Sequence, residues 1–218
     1  MESVLDRVIK QNTENVNLLK TKDYNIFSVL QIQSKEVLIC RMIADLLNPR
    51  GQHGAGAEYL KIFLRDCLGM EKMDTKLADQ AIVTAEYAID DERRIDIVIE
   101  IGSYFLPIEV KIYAADQKSQ CFDYYQYAKR RDAQAKVYYL TLDGHRPGKD
   151  STSSGNQSVP EEDIVCLSFR EHILNWLKAC KNCGNTGMIP ILEQFIHNIE
   201  QISGYTSEKV RNMVIDEL

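Results

Sequence analysis

The chain has 218 residues, of which 44% are hydrophobic and 27% charged, and its formal net charge is −6. This length suits one domain with a substantial core, and no stretch approaches the roughly 20 apolar residues that a membrane-spanning helix needs, so a membrane protein is excluded. The amino terminus lacks a basic and apolar leader, and the 6 cysteines therefore favour reduced thiols over a disulfide framework, which predicts a cytoplasmic protein.

The first part of the chain is predicted to be helical. Residues 1–33 form a predicted N-terminal extension, because apolar residues recur there among charges, as in amphipathic helices. A further helix follows Ser34, which suits an N-cap, and Pro49 ends that helix by biasing the preceding residue away from the helical region. A second helix covers about residues 55–68 and stops at a glycine.

Three strands are predicted next, at residues 82–89, 93–100 and 107–112. Polar and apolar residues alternate in the second strand, as they do in half-buried strands. The isoleucines at odd positions from Ile95 to Ile101 therefore share one face, and Asp96 lies on the opposite face.

The predicted turn between the second and third strands brings charged residues together. Glycine and serine at positions 102–103 favour a hairpin, and antiparallel pairing brings Asp96 alongside Glu109 and Lys111, which share a face of the third strand. On the spacing of Glu109 and Lys111 alone, a weak ion pair on a solvated strand is the better interpretation. With Asp96 and the following helix in place, the pattern favours a functional site.

A helix over residues 116–131 follows the third strand. Gln120 and Tyr124 lie four positions apart and so share one helix face, which Gln117 extends. For Tyr124, packing in the core is the alternative role. The helix ends in the basic cluster Lys129-Arg130-Arg131, which either complements the helix dipole or contacts a phosphate backbone.

The rest of the chain completes an α/β domain. A strand is predicted at residues 136–142, a mobile surface loop at 143–162, and a last strand with C-terminal helices within 163–218. The order helix, three strands, helix, strand fits a mixed central sheet flanked by helices. We therefore expect a single domain over residues 1–218.

These motifs together resemble the PD-(D/E)xK nuclease superfamily. Asp96, the strand context and Glu109-x-Lys111 match its signature, and Gln120-x-x-x-Tyr124 matches the motif of its exonuclease-like branch. Other segments are similar to an uncharacterised prokaryotic subfamily, so a prokaryotic or phage origin is implied. Ile95 stands where many members have proline. The resemblance implies a restriction-endonuclease-like αβββαβ fold, with its catalytic core at residues 34–142 and extra helices at both ends.

The resemblance also implies a metal-dependent nuclease that uses Mg²⁺ or Mn²⁺. Its metal ligands would be the carboxylates of Asp96 and Glu109 and the backbone carbonyl of Val110. Lys111 would position or deprotonate the attacking water, or balance charge in the transition state. Gln120 would help to bind or orient the substrate.

Many superfamily members carry a further acid that can complete a second metal site. In this chain the candidates are Glu58 and Glu86, with Glu36 a distant third. Each of these residues, taken alone, also fits an ordinary surface or capping acid, and the sequence does not choose between them.

The implied partner is nucleic acid, with DNA favoured. Residues 93–136 contain 8 lysines or arginines against 6 acids, which offsets the acidic total. The predicted contacts to nucleic acid are Arg94, Gln117, Tyr124, Lys129, Arg130 and Arg131. The alternative is a catalytically silent member that keeps the fold as a nucleic-acid or protein interaction module. A homodimer is one open alternative for the oligomeric state.

Two weaker features remain. Cys180-x-x-Cys183 is half of a zinc motif, without a second pair to complete it. His53 stands between glycines, where a role in the turn or in capping the next helix is favoured over contact with substrate.

Overall fold

The computed structural model describes residues 24–71, 73–183 and 185–204. Its α-helices are α1 Ile26–Val29, α2 Glu36–Leu47, α3 Glu58–Asp66, α4 Thr75–Ala78, α5 Gln120–Arg131, α6 Lys149–Thr152, α7 Leu174–Cys180 and α8 Ile189–Ile202. The strands are β1 Ile82–Ala88, β2 Arg94–Ile101, β3 Tyr104–Lys111, β4 Val137–Thr141, β5 Ser153–Ser154, β6 Gln157–Ser158 and β7 Ile164–Ser168. Short 3-10 turns lie at Glu161–Asp163 and Thr186–Met188, and a π-helical turn at Phe169–Ile173 leads into α7.

The main sheet is mixed and has five strands in the order β1-β2-β3-β4-β7. β1, β2 and β3 are consecutive and antiparallel, whereas β4 and β7 join in parallel. Parallel neighbours require a crossover connection, and α5 lies within the one between β3 and β4. This architecture confirms the predicted α/β fold with a mixed central sheet flanked by helices.

Helices cover both faces of the sheet and bury two apolar clusters. On one face, α2, α3, α7 and α8 pack over the larger cluster, which includes Ile97, Ile99 and the fully buried Trp176. On the other face, α5 packs over the smaller cluster, which includes Val98 and Tyr139. The polar residues of α5 therefore lie close to the face of the sheet where Glu109 and Lys111 were predicted.

The helix after β3 starts later than predicted. Ser119 has a left-handed backbone with φ of 56°, so α5 begins at Gln120 and not at residue 116. Asp116 instead accepts hydrogen bonds from the Tyr139 hydroxyl and the Gly148 backbone N–H, both at 2.7 Å. Gln117 consequently lies in the loop before the helix, and the predicted extension of the helix face through Gln117 is wrong.

Residues 143–162 are not a plain loop. They contain α6, the two-stranded β5–β6 ribbon and a 3-10 turn. The Ser119 N–H donates to the Asp150 carbonyl at 2.7 Å, and the Cys121 N–H donates to the buried Ser151 hydroxyl at 3.3 Å. The segment thus packs against the start of α5, because its own backbone and hydroxyl groups supply acceptors for that helix end. Its mobility remains a prediction.

The predicted N-terminal extension is described only from residue 24 onwards, and residues 1–23 lie outside the described part. Asn25 caps α1 by accepting from the Phe27 N–H at 2.9 Å, and it donates to the Gln194 carbonyl at 2.8 Å. α1 is thereby attached to α8. At the start of α2, Lys35 is the N-cap and makes no side-chain capping bond, so the predicted Ser34 cap is wrong. Among the described helices, none has the length and apolarity to cross a membrane.

Candidate active site

A cleft of about 390 Å³ opens where β2 and β3 separate, between the start of α2 and the start of α5. Asp96, Glu109, Lys111 and Gln120, the four predicted catalytic residues, all line it. The other charged and polar side chains in its lining are Glu36, Asp91, Glu92, Arg93, Arg94, Gln117 and Tyr124. The structure therefore brings the predicted residues into one place.

The cleft exists because the ladder between β2 and β3 stops early. β3 begins at Tyr104, three residues before the predicted start, so pairing runs from Ile101 and Tyr104 beside the turn at residues 102–103 to Ile97 and Ile108, and then ends. Along an antiparallel ladder, hydrogen-bonded residue pairs alternate with pairs that are not hydrogen-bonded. If the ladder continued, Val110 and Ile95 would be a hydrogen-bonded pair, and the N–H of Val110 would donate to the backbone of Ile95. The carboxylate of Asp96 takes that place, and its Oδ2 accepts from the Val110 N–H at 2.8 Å.

The neighbouring strand is irregular at the same level. Pairing between β1 and β2 passes over Glu86, whose backbone is left-handed with φ of 53°, although its position is opposite Asp96. Ile95 packs with Val98 in the cluster under α5, and not with Ile97 as the alternation predicted. The alternation of side chains between the two faces of β2 therefore breaks at Asp96. The hydrogen bond with Val110, and not the regular strand geometry, fixes the position of the Asp96 carboxylate.

Glu109 and Lys111 form a buried ion pair. Glu109 Oε1 and Lys111 Nζ lie 2.5 Å apart, and the two residues are 1% and 7% exposed, so the interpretation as a solvated ion pair is wrong. Burial, together with the negative charge of Asp96, raises the pKa of Glu109 well above its usual value. Burial opposes the charged form of Lys111, but the charges of Glu109, Asp96 and Glu36 outweigh it and raise the pKa of Lys111.

The pKa of Asp96 is also raised. Burial raises the pKa of Asp96, and the hydrogen bond from Val110 and the charge of Lys111 only partly oppose this shift. The buried carboxylate of Glu109 and the half-buried carboxylate of Asp96 therefore share one compensating cation, Lys111. Such an arrangement costs native stability unless a further positive charge is present.

Glu36 is the third acid of the cleft. It stands in the first turn of α2, and its Oε2 accepts from the Ile112 N–H at 2.7 Å, just beyond the end of β3. Asp96 and Glu36 thus accept from the amides of Val110 and Ile112, two residues apart on β3 and its extension, which β2 no longer reaches. The sequence ranked Glu36 lowest because nothing local links the start of α2 to the end of β3.

The two acids that the sequence preferred do not line this cleft. Glu58 borders a separate hollow and forms an ion pair with Lys61 at 3.0 Å. Glu86, with its left-handed backbone, accepts from Arg41 of α2 at 2.6 Å. Because both carboxylates are paired with cations outside the cleft, the structure gives no support to Glu58 or Glu86 as a ligand of a second metal ion, and these two candidates stay predictions.

Gln120 and Tyr124 form a short chain of hydrogen bonds. Gln120 Nε2 donates to the Tyr124 hydroxyl at 3.1 Å, and that hydroxyl donates to the backbone carbonyl of Arg94 at 2.5 Å. Tyr124 is only 1% exposed and packs in the cluster under α5. Its ring is therefore in the core, as the alternative interpretation had it, and this burial favours a structural role over the predicted direct contact between Tyr124 and nucleic acid.

Arg93 is a cleft residue that sequence reasoning missed. Its guanidinium donates to Asp123 at 3.0 Å, to the Gln117 side chain at 2.8 Å and to the Lys118 carbonyl at 2.6 Å. Arg93 therefore ties the start of β2 to the loop before α5. Arg94, which the sequence favoured, lines the cleft with an exposed side chain.

The basic cluster lies at the other end of α5, about 16 Å along the helix axis from Gln120. Lys129 pairs with Asp163 at 3.2 Å, and Arg131 pairs with Glu100 at 3.2 Å and donates to the Tyr127 hydroxyl at 2.8 Å. The Arg130 guanidinium lies 5.5 Å from the centre of the Tyr127 ring. These contacts favour an intramolecular role at the helix C-terminus over the predicted contact with phosphates.

The donor set fits a hard divalent cation with water among its ligands. Across residues 24–71, 73–183 and 185–204, no three side chains of His, Cys, Asp or Glu form a metal cluster, so the zinc interpretation of Cys180 and Cys183 gains no support. However, Glu109 Oε2 is buried without a hydrogen-bond partner beside Asp96, and Mg²⁺ usually takes only one or two protein carboxylates. His53 is a turn residue, as favoured, since it bonds to the Asn48 carbonyl and the Ala55 N–H.

Comparison with known proteins identifies this combination of fold and residues. A family model described as the PD-(D/E)XK nuclease superfamily matches residues 24–197, which include all four predicted catalytic positions. Among curated proteins and among solved structures, no match was found.

Proposed function

The chain belongs to the PD-(D/E)XK nuclease superfamily, and from that premise we propose that it is a Mg²⁺- or Mn²⁺-dependent nuclease that hydrolyses phosphodiester bonds, with DNA as the favoured substrate. The observation that carries this proposal is the group of Asp96, Glu109 and Lys111 at an open cleft, in which Glu109 and Lys111 are buried and Asp96 is half-buried. Removing such charges from water costs stability. A divalent metal ion would supply the missing positive charge.

Asp96 and Glu109 would hold the ion through their carboxylates, with the carbonyl of Val110 as a further donor. In a hydrogen-bonded pair of an antiparallel ladder, the N–H and the C=O of a residue both point towards the partner strand. The carbonyl of Val110 therefore points towards the gap that Asp96 occupies. When bound, the ion polarises a phosphoryl oxygen and lowers the pKa of a water molecule.

Lys111 would act as a fixed positive charge rather than as a base. Its pKa is raised by the surrounding carboxylates, although burial alone would lower it, so it stays protonated at neutral pH. A protonated lysine cannot remove a proton from water. It can donate hydrogen bonds and stabilise the negative charge that develops on the phosphate group in the transition state. Of the three roles that the resemblance implies for Lys111, the structure favours this one.

The direct test is to incubate the protein with single-stranded and double-stranded DNA and RNA, with Mg²⁺, with Mn²⁺ and with a chelator. We expect cleavage that requires the metal and disappears in Asp96→Asn. Asp96→Asn prepared in parallel is the control for contaminating nuclease, and Lys178→Gln, which changes a surface lysine on α7 outside the cleft, should cleave like the wild type. Absence of cleavage on every substrate, together with absence of metal binding, would refute the proposal.

A silent interaction module is the second candidate, and the charge of the cleft favours it. Five acids line the cleft, Glu36, Asp91, Glu92, Asp96 and Glu109, against three bases, Arg93, Arg94 and Lys111. Arg93 is already paired with Asp123. Metal-independent binding of nucleic acid or of a protein, without cleavage, would support this candidate.

A further inference from the structure

We propose that Tyr124 is a positioning residue for Asp96, and that the Gln120–Tyr124 pair acts on the strand that carries Asp96 rather than on the substrate. The consequence for cleavage rests on the proposed nuclease function. The positioning itself is a property of the folded chain and can be measured without metal or substrate.

The stretch of β2 from Arg94 to Asp96 is supported by a strand on one side only. It has left β3, since that ladder ends at Ile97 and Ile108. β1 still pairs with Arg94 and Ile95, but the pairing skips Asp96, opposite Glu86. Backbone groups of this stretch that face β3 therefore lack the strand partner that fixes a central strand.

Tyr124 supplies the missing support from the helix above. Its hydroxyl donates to the Arg94 carbonyl at 2.5 Å, two residues before Asp96. Asp96 in turn accepts from the Val110 N–H at 2.8 Å. The stretch is thus held at both ends, by α5 through Arg94 and by β3 through Asp96. Because the Tyr124 ring is fully buried in the cluster under α5, the position of its hydroxyl is fixed.

The role of Gln120 follows from its contacts. Its amide group donates to the Tyr124 hydroxyl at 3.1 Å, and its carbonyl oxygen lies 3.5 Å from the Gln117 N–H. Gln120 is 5% exposed. Because its amide donor is directed at Tyr124, the hydroxyl must use its single proton for the Arg94 carbonyl. Gln120 therefore orients Tyr124, which orients the backbone before Asp96.

The test is Tyr124→Phe, which keeps the ring and removes only the hydroxyl. Tyr125→Phe is the matched control, because Tyr125 is the next residue of α5 and its hydroxyl donates to Asp163 at 2.6 Å, away from the cleft. Hydrogen exchange of the Val110 amide reports how firmly Asp96 holds it. The exchange of the Leu140 amide in β4 corrects for global stability.

We expect the Val110 amide to exchange about fivefold faster or more in Tyr124→Phe than in Tyr125→Phe after this correction, since the Arg94 carbonyl loses its hydrogen-bond donor. Affinity for Mn²⁺, measured by calorimetry, should fall about 10- to 100-fold, as it does when groups that orient metal ligands are removed. If the protein cleaves DNA, kcat should fall with little change in KM.

An unchanged Val110 amide and an unchanged Mn²⁺ affinity, with a raised KM for DNA, would overturn the inference and assign Tyr124 to substrate contact. Gln120→Met serves as a second variant if Tyr124→Phe does not fold, and it should show a smaller effect on the Val110 amide in the same direction. If no substrate is cleaved, the nuclease proposal fails, while the Val110 measurement still decides the positioning role.

Discussion

The two ends of α5 are rich in polar residues, but they use them in opposite ways. At the start, Gln120 and Tyr124 are buried and bonded to each other and to the strand of Asp96. At the end, Lys129 and Arg131 are partly exposed and paired with acids of neighbouring elements. Burying polar groups is costly, whereas an exposed cation costs little, so the buried end is the stronger indication of function.

The largest expected effect contrasts lysines near these two ends. Lys111→Met should reduce cleavage about 10²- to 10³-fold, because it removes a charge that stabilises the transition state. Lys129→Met should leave the rate of cleavage unchanged, since Lys129 is occupied by Asp163. Single-turnover rates on one DNA substrate would measure both. If Lys129→Met lost as much cleavage rate as Lys111→Met, the contrast between the two ends of α5 would be wrong, and the basic cluster would be a functional surface.

Asp96→Asn should separate metal binding from folding. Without metal, the variant should be as stable as the wild type or slightly more stable, because a charge that burial disfavours is lost together with its repulsion of Glu109. A ligand at 100 times its Kd stabilises a protein by about 2.7 kcal/mol, and this metal-dependent gain should shrink in the variant. Melting temperatures with and without Mn²⁺ give both quantities. A variant that responds to metal like the wild type would show that Asp96 is not a ligand.

The raised pKa of Glu109 predicts how stability depends on pH. Burial first, and the charge of Asp96 second, make the folded state bind the Glu109 proton more tightly than the unfolded state does. The contribution of Glu109 to stability is therefore greatest below the ordinary glutamate value of about 4.3 and declines as the pH rises towards the raised pKa.

Glu109→Gln removes the titrating carboxyl group and with it this loss of stability at higher pH. The melting temperature of the variant relative to wild type should therefore rise by a few degrees between pH 4 and pH 8. In a domain of this size, 1 kcal/mol of stability corresponds to about 2–4 °C. Comparing the two pH values cancels any constant loss of packing and of the contact with Lys111. If the difference in melting temperature between the variant and the wild type stays constant or falls from pH 4 to pH 8, the pKa of Glu109 is not raised in the folded protein.

The smallest effects belong to the far end of α5. The Arg131 guanidinium lies 5.0 Å from the ring centre of Tyr127 and 5.3 Å from that of Phe105, so Arg131→Ala should cost roughly 1 kcal/mol of stability without changing the rate of cleavage. Thermal unfolding and the cleavage assay test the two parts separately. Lowered activity with intact stability would instead point to contact with nucleic acid.

Arg130→Ala is the matched control for Arg131→Ala, and its stability should stay within about 0.5 kcal/mol of wild type. If Arg130 contacted a phosphate, the slope of the logarithm of the DNA-binding constant against the logarithm of salt concentration would be smaller by about 1 in the variant. We expect no such change, and filter binding at several salt concentrations would show it.

The sequence was most informative where chemistry depends on local pattern. Alternation in β3 and the antiparallel hairpin around residues 102–103 were enough to predict that Asp96, Glu109 and Lys111 lie together. The pairing on which that prediction relied ends at Ile97 and Ile108, and the hydrogen bond from Val110 holds Asp96 in its place. Gln120 also lies in the cleft, since the connection that returns the chain to the sheet must cover one of its faces.

Residues that meet only through tertiary structure were missed or ranked low. Glu36 reaches β3 from the start of α2, far away in sequence, and Glu86 is turned away by a left-handed backbone that no residue preference predicts. Arg93 was passed over for its neighbour Arg94, because identical side chains give no signal until their partners are known. The early break of the β2–β3 ladder, which leaves the Val110 and Ile112 amides to Asp96 and Glu36, leaves no mark in the hydrophobic pattern.

The meander of β1, β2 and β3 has a consequence for how the chain folds. Its strands are consecutive, so its contacts close short loops, whereas β4 and β7 must wait for crossover connections. Contacts with short loops generally form earlier. Asp96, Glu109 and Lys111 all belong to the meander, and so the repulsion between the two carboxylates is met before the sheet is complete. Protonation or metal binding at these residues would then accelerate folding more than it slows unfolding.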